Sequence, residues 1–142
     1  MGLSHLAVIN AHPGVTVAGM CDSAKYVLDV LGKYTGLATF TDYDAMLAGV
    51  DLDAVLIATP SAMHAAMVRA ALDRGLHVFC EKPFCLDPGE GAALAAKKGL
   101  ICQVGYHNRF IGADREVKRL VDSTPMRSGA SRMCWRRRMA RW

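Results

Sequence analysis

Five short apolar runs separated by helix-periodic segments leave this chain few folds to choose from. The runs are residues 15–21 (VTVAGMC), 38–40, 54–58 (AVLIA), 76–80 and 101–104. Each is apolar and bounded by turn residues, as buried strands are. Between them the apolar residues change period. Val27, Val30, Leu31 and Tyr34 fall at helical spacing, as do Met63, Ala66, Met67, Ala70 and Ala71. Ahead of the first run, Leu3, Leu6, Ala7 and Asn10 open a short helix that stops at His12-Pro13-Gly14. Asp42 is placed to cap a helix through Leu47, Gly75 to close the helix before it, and Pro88 to begin one reaching Lys98. Phe110 or Ile111, with Val117, Leu120 and Val121, marks a last helix. Strands alternating with helices imply βαβ units, an α/β class and a mostly parallel, doubly wound sheet.

With 52% apolar residues the chain can bury a core. No apolar run approaches the ~18 residues of a membrane span, and the N-terminus lacks the cationic start of a secretion signal. The five cysteines (21, 80, 85, 102 and 134) form no C-x-x-C pair and no zinc-ligand spacing, so we expect free thiols, a cytoplasmic setting and no metal. The net charge of +4 is uneven. Residues 1–123 hold 11 basic and 13 acidic groups, whereas residues 124–142 hold six arginines, no lysine and no acid.

The strand ends carry the chemistry. Asp22 closes the first run, about twenty residues after Gly2 at the start of a helix. That spacing suits Gly2 as the third glycine of a G-x-G-x-x-G turn, with Asp22 binding the adenosine ribose of a dinucleotide. Thr59-Pro60 follows the third run and Glu81-Lys82-Pro83 the fourth. Any one of these is explained by an ordinary surface turn. Together they mark the carboxyl edge where open α/β sheets bind ligands.

Three stretches then become specific: ATPSAMH (58–64), ALDRGLHVFCEKP (71–83) and VGYHNRF (104–110). Their motifs and spacing resemble the Gfo/Idh/MocA oxidoreductases, and the resemblance covers residues 2–123. It implies a Rossmann domain binding NAD or NADP, followed by an α/β domain that shapes a sugar or polyol pocket and the oligomer interface. It places Lys82 beside nicotinamide and substrate as the catalytic residue. An ammonium there stabilises a developing alkoxide and helps move its proton. Glu81 and Pro83 would fix its backbone, Thr59 and Pro60 would line the cofactor with His64 nearby, and Tyr106 and Arg109 would lie toward the nicotinamide end. For His64, a histidine packed against the sheet fits as well as a ligand contact. Asp22 favours NAD because a carboxylate repels a 2′-phosphate, while Lys25 leaves NADP open.

Two departures from the family pattern shape the expectation. The first strand and the first two fingerprint glycines would lie upstream of Met1, so a partial Rossmann domain (1–123) with weakened cofactor binding is expected. After Ser123 the text turns arginine-rich and loses all periodicity. We read residues 124–142 as an out-of-frame continuation. The alternatives are a basic arm for nucleic acid and a membrane-surface segment. The second domain's acid–base pair has no counterpart, so the chain reads as an inactive fragment of a dehydrogenase. A non-catalytic dinucleotide-binding or nucleic-acid-binding module is the other reading.

Overall fold

The computed structural model describes residues 1–96 and 99–123. At its centre three strands run parallel: β3 (Ala54–Ile57), β4 (His77–Cys80) and β5 (Cys102–Val104), in the order β3-β4-β5. Ala54 faces His77 and Ile57 faces Cys80, while Val78 faces Cys102 and Cys80 faces Val104. A second parallel pair joins β1 (Gly19–Cys21) to β2 (Ala38–Phe40). The hydrogen-bond ladder is not continuous between the two sheets. Six helices, α1 (Gly2–Asn10), α2 (Lys25–Thr35), α3 (Tyr43–Gly49), α4 (Ser61–Asp73), α5 (Pro88–Ala95) and α6 (Gly112–Ser123), alternate with the strands. The α/β Rossmann-type class read from the sequence is the one observed.

The described residues divide into two units, Met1–Tyr106 and one beginning at His107. The second contains a 3-10 turn, His107–Phe110, and α6, which buries none of its residues. In the first unit a single core joins Val55 and Ile57 of β3, Val78 and Cys80 of β4, Met46 and Leu47 of α3, Val68, Ala71 and Leu72 of α4, and Leu94 of α5. Pleating sends alternate side chains to opposite faces. Val78 and Cys80 therefore enter this core, while His77 and Phe79 point the other way.

Several local expectations need correction. The run 15–21 was expected to be a strand throughout, yet only Gly19–Cys21 pairs, because the partner β2 is three residues long and Val15 stays exposed. The buried stripe of α4 is His64, Val68, Ala71 and Leu72; of the expected face Ala71 is buried and Met67 and Ala70 pack against the core, whereas Met63 and Ala66 are exposed. That stripe has proper i, i+4, i+7, i+8 spacing, but its first member is polar. In α2 Leu28 is buried, while Val30 and Tyr34 are exposed. The helix begun by Pro88 ends at Ala95, and its expected extension to Lys98 falls outside the described residues, as do residues 124–142.

Helix boundaries follow cap chemistry. Gly75, with φ +80°, follows the last turn of α4 in a left-handed conformation that glycine adopts without strain. Asp42 caps α3, its Oδ1 accepting the Ala45 N–H at 2.7 Å. Asp42→Ala leaves that N–H unsatisfied and is expected to lower stability by about 0.5–2 kcal/mol, read from the urea midpoint. An unchanged midpoint would show that the cap is dispensable.

Candidate cofactor and catalytic site

Asp22 stands one residue beyond β1. Its N–H donates to Phe40 O (3.1 Å), and its Oδ1 accepts the Ala24 N–H (2.8 Å) at the entry to α2. The side chain is exposed, with lone pairs left to accept further donors. The Lys25 ammonium turns along its own helix to Asp29, 2.7 Å away. Beside this end, burial first, then the charges of Asp42 and Asp22, raise the Cys21 thiol above its ordinary pKa.

The turns after β3 and β4 are tied together by His64. This residue of α4 is 1% exposed. Its Nε2 lies 2.9 Å from Thr59 O and its Nδ1 2.6 Å from Pro83 O. Both partners are backbone acceptors, so a neutral ring donates to one and the doubly protonated ring to both. No ring nitrogen is left for a ligand. What His64 provides in the structure is a link between the carbonyls of Thr59 and Pro83. The Thr59 hydroxyl meets Met67 Sδ at 3.4 Å, and Pro60 opens α4 with its face exposed.

Glu81 prolongs β4, its N–H donating to Ile57 O at 2.8 Å. Its two carboxylate oxygens serve different partners. Oε1 accepts from His5 Nε2 (2.8 Å) and Oε2 from the Lys82 N–H (3.1 Å). The His5 hydrogen bond is the main reason the Glu81 carboxyl lies below the usual carboxylate pKa, opposed by burial and helped by the Lys82 N–H. The Lys82–Pro83 peptide is cis, and the Lys82 side chain is exposed. Behind the turn, burial pushes the Cys80 thiol up to about 12, with Cys102 and Glu81 adding to the effect.

Gly105 follows β5, its N–H donating to Cys80 O at 2.9 Å. A Cβ there would lie 3.2 Å from Phe79 Cζ and 3.4 Å from Glu81 Cδ, so a side chain would crowd the carboxylate. Tyr106 is 53% exposed. Arg109 belongs to the second unit, and its side chain lies outside the described residues. Gly2 opens α1, whose N-cap Met1 contributes no side-chain bond, and a Cβ at Gly2 would meet nothing within 4 Å. Packing therefore does not require glycine there.

The structure brings Thr59, Pro60, His64, Glu81, Lys82 and Pro83 together, with Asp22 at the end of the other sheet. Sequence reasoning missed His5 and Gly105. The available signal for His5 is its position as the one ionisable side chain in the first helix. Among the described residues no three His, Cys, Asp or Glu side chains group to hold a metal, and no helix is long and apolar enough to cross a membrane.

Comparison with known proteins agrees with this geometry. Residues 1–106 match the model of an oxidoreductase family with an NAD-binding Rossmann fold. The chain is 44% identical over 116 residues to D-xylose 1-dehydrogenase (NADP(+)) 2 of Haloferax volcanii, covering 79% of this chain and 35% of that protein. It is 31% identical over 120 residues to scyllo-inositol 2-dehydrogenase (NAD(+)) of Bacillus subtilis, covering 82% and 35%. The crystal structure of scyllo-inositol dehydrogenase from Lactobacillus casei with bound NAD(H) and scyllo-inositol superposes with a TM-score of 0.73 at 32% identity, covering 85% of this chain and 37% of that one. The chain thus spans about a third of the length of these relatives. With the strand order, the Thr59-Pro60 and Glu81-Lys82-Pro83 turns and the matched residues in agreement, the chain belongs to the Gfo/Idh/MocA oxidoreductase family.

Proposed function

We propose that this domain binds NAD along the carboxyl ends of its strands and contributes Lys82 to an oxidoreduction at a CH–OH group of a sugar or polyol. The observation that carries the reading is the buried His64, which fastens the Thr59 and Pro83 backbones to one another and so sets Lys82 beside the Thr59-Pro60 turn. The residues fit a dinucleotide at both ends. Asp22 offers an exposed carboxylate to ribose hydroxyls, and the first turn of α1 has backbone N–H groups without a side-chain cap, as phosphates need. NAD, when bound, supplies the hydride acceptor at its nicotinamide ring. In oxidation the neutral Lys82 amine would take the alcohol proton as hydride leaves the carbon for NAD. In reduction the Lys82 ammonium would steady the developing alkoxide and return a proton to it. The His64 tether and the Glu81 carboxylate hold the backbone that carries Lys82. Free thiols at Cys21, Cys80, Cys85 and Cys102 suit a reducing cytoplasm.

Calorimetric titration tests this reading. NADH is expected to bind more tightly than NADPH, because the Asp22 carboxylate accepts ribose hydroxyls and repels a 2′-phosphate. A hydrogen bond to a charged group contributes about 1.5–3 kcal/mol. Asp22→Ser is therefore expected to weaken NADH binding by roughly 10–100-fold and to narrow the preference over NADPH. An unaltered NADH dissociation constant in that variant would remove Asp22 from the cofactor site. Binding of NADH without turnover of any polyol would identify a dinucleotide-binding module instead.

A further inference from the structure

We propose that His5 is a positioning residue for Lys82, acting through Glu81. The inference rests on the reading of the Lys82 turn as the nicotinamide end. It starts from the pleat of β4. Phe79 and Glu81 emerge from the face opposite Val78 and Cys80, and both meet one side chain of α1. The His5 ring stands edge-on to Phe79, with centroids 5.6 Å apart and planes at 63°, while its Nε2 reaches Glu81 Oε1 at 2.8 Å. An ionised carboxylate only accepts, so Nε2 donates and the tautomer follows from the partner. Ring packing fixes the plane and the hydrogen bond fixes the rotation.

The Glu81 side chain is 12% exposed, and a carboxylate so enclosed needs partners for both oxygens. His5 holds one, and the Lys82 N–H holds the other. The charged and titratable groups facing Glu81 are His5 on α1, Lys82 of the turn and Cys80 on β4. Gly105 closes the β5 side without a charge. Remove the His5 donor, and the cation left acting on the Glu81 carboxylate is the Lys82 ammonium. The carboxylate would swing to it, neutralise it and draw it back from the crevice. His5 thus keeps Glu81 on the backbone of the turn and leaves the ammonium free.

The test compares wild type with His5→Leu, which removes the donor, and His5→Gln, which keeps an amide N–H. The first readout is acylation of Lys82 by acetic anhydride without cofactor, normalised to the exposed Lys25 and Lys33 and followed by peptide mass spectrometry. An ion pair of this exposure corresponds to a slowing of about threefold to fivefold in His5→Leu, with His5→Gln close to wild type. In a Glu81→Gln background, where no carboxylate can swing, His5→Leu is expected to change nothing. The second readout is the NADH dissociation constant, expected to stay near wild type in both His5 variants, as in Lys82→Met, because Lys82 acts on the substrate oxygen. Should His5→Leu fail to fold, His5→Asn, too short to reach the carboxylate, replaces it with the same expectations. Equal Lys82 acylation in the loss variant and wild type overturns the proposal, as does slowing that persists without the Glu81 carboxylate. Slowed acylation in a chain that does not bind NADH keeps His5 as the positioning residue and rejects the nicotinamide assignment instead.

Discussion

In a fusion of this chain to the remaining part of a full-length relative, Lys82→Met is expected to lower the rate of polyol oxidation by about 10²–10⁴-fold, the range for loss of a positioned acid–base group, while NADH still binds. The exposed lysine lies outside the hydrophobic core and none of the core residues depends on its ammonium. Methionine keeps the unbranched stem and removes the charge, so folding is unaffected by the change in volume. The loss falls on the step in which an alkoxide develops, because only there does a nearby cation gain over water. Single-turnover formation of NADH from NAD and a polyol, alongside calorimetric binding, separates the two effects. A variant that binds NADH and turns over at the wild-type rate would remove Lys82 from the chemistry. A variant that loses binding in proportion to turnover would make Lys82 a cofactor ligand only.

The second large effect concerns the core that holds the site. Ile57→Ala is expected to destabilise the chain by about 2–5 kcal/mol, a large part of the ~5–15 kcal/mol available to a domain. Ile57 is 1% exposed at the last paired position of β3, opposite Cys80 and in the core with Val68 and Leu72. Truncation there forfeits the burial of the removed carbons and leaves a void that the paired strand cannot close. The same residue's carbonyl receives the Glu81 N–H at 2.8 Å, so relaxation of β3 toward the void would also drag on the Lys82 turn. Ile57→Val, losing one carbon, is expected to cost only about 0.5–1.5 kcal/mol. Val8→Ala on α1, at a position 73% exposed, serves as the control, within about 0.5 kcal/mol of wild type. Equilibrium urea unfolding gives all three values. Equal midpoints for Ile57→Ala and Val8→Ala would contradict the core assignment.

Much of this architecture was legible because each element states its own period. The β-branched run at 54–58 and the Asp42 and Pro88 helix starts need only near neighbours to be read, and the observed β3, α3 and α5 begin where they indicate. The motif turns at Thr59-Pro60 and Glu81-Lys82-Pro83 were visible for the same reason. What stayed hidden depends on partners remote in sequence. The length of β1 is set by β2, nineteen residues later in register, not by its own apolar run. The apolar spacing of α4 finds Met67, Ala70 and Ala71 but adds the exposed Met63 and Ala66 and omits His64, because a histidine counts as polar in any periodic reading. Its burial becomes favourable only through two carbonyls, one of them nineteen residues downstream. The His5–Glu81 contact spans 76 positions, and nothing local to either residue announces the other.

The pleat of β4 also decides which changes of length the chain can absorb. Alternation has a period of two, so one extra residue between Val78 and Phe79 would exchange the faces of everything beyond it. Phe79 would take the core place that Cys80 fills, Cys80 would leave the core, and the Glu81 carboxylate would turn to the core face one pleat beyond. The exposed connection at residues 11–16 has no such parity. Its closure entropy grows by only about 0.6 kcal/mol for each doubling of length. Insertions and deletions surviving in relatives of this chain should therefore collect between α1 and β1, while the spacing from His77 to Pro83 stays fixed to the residue.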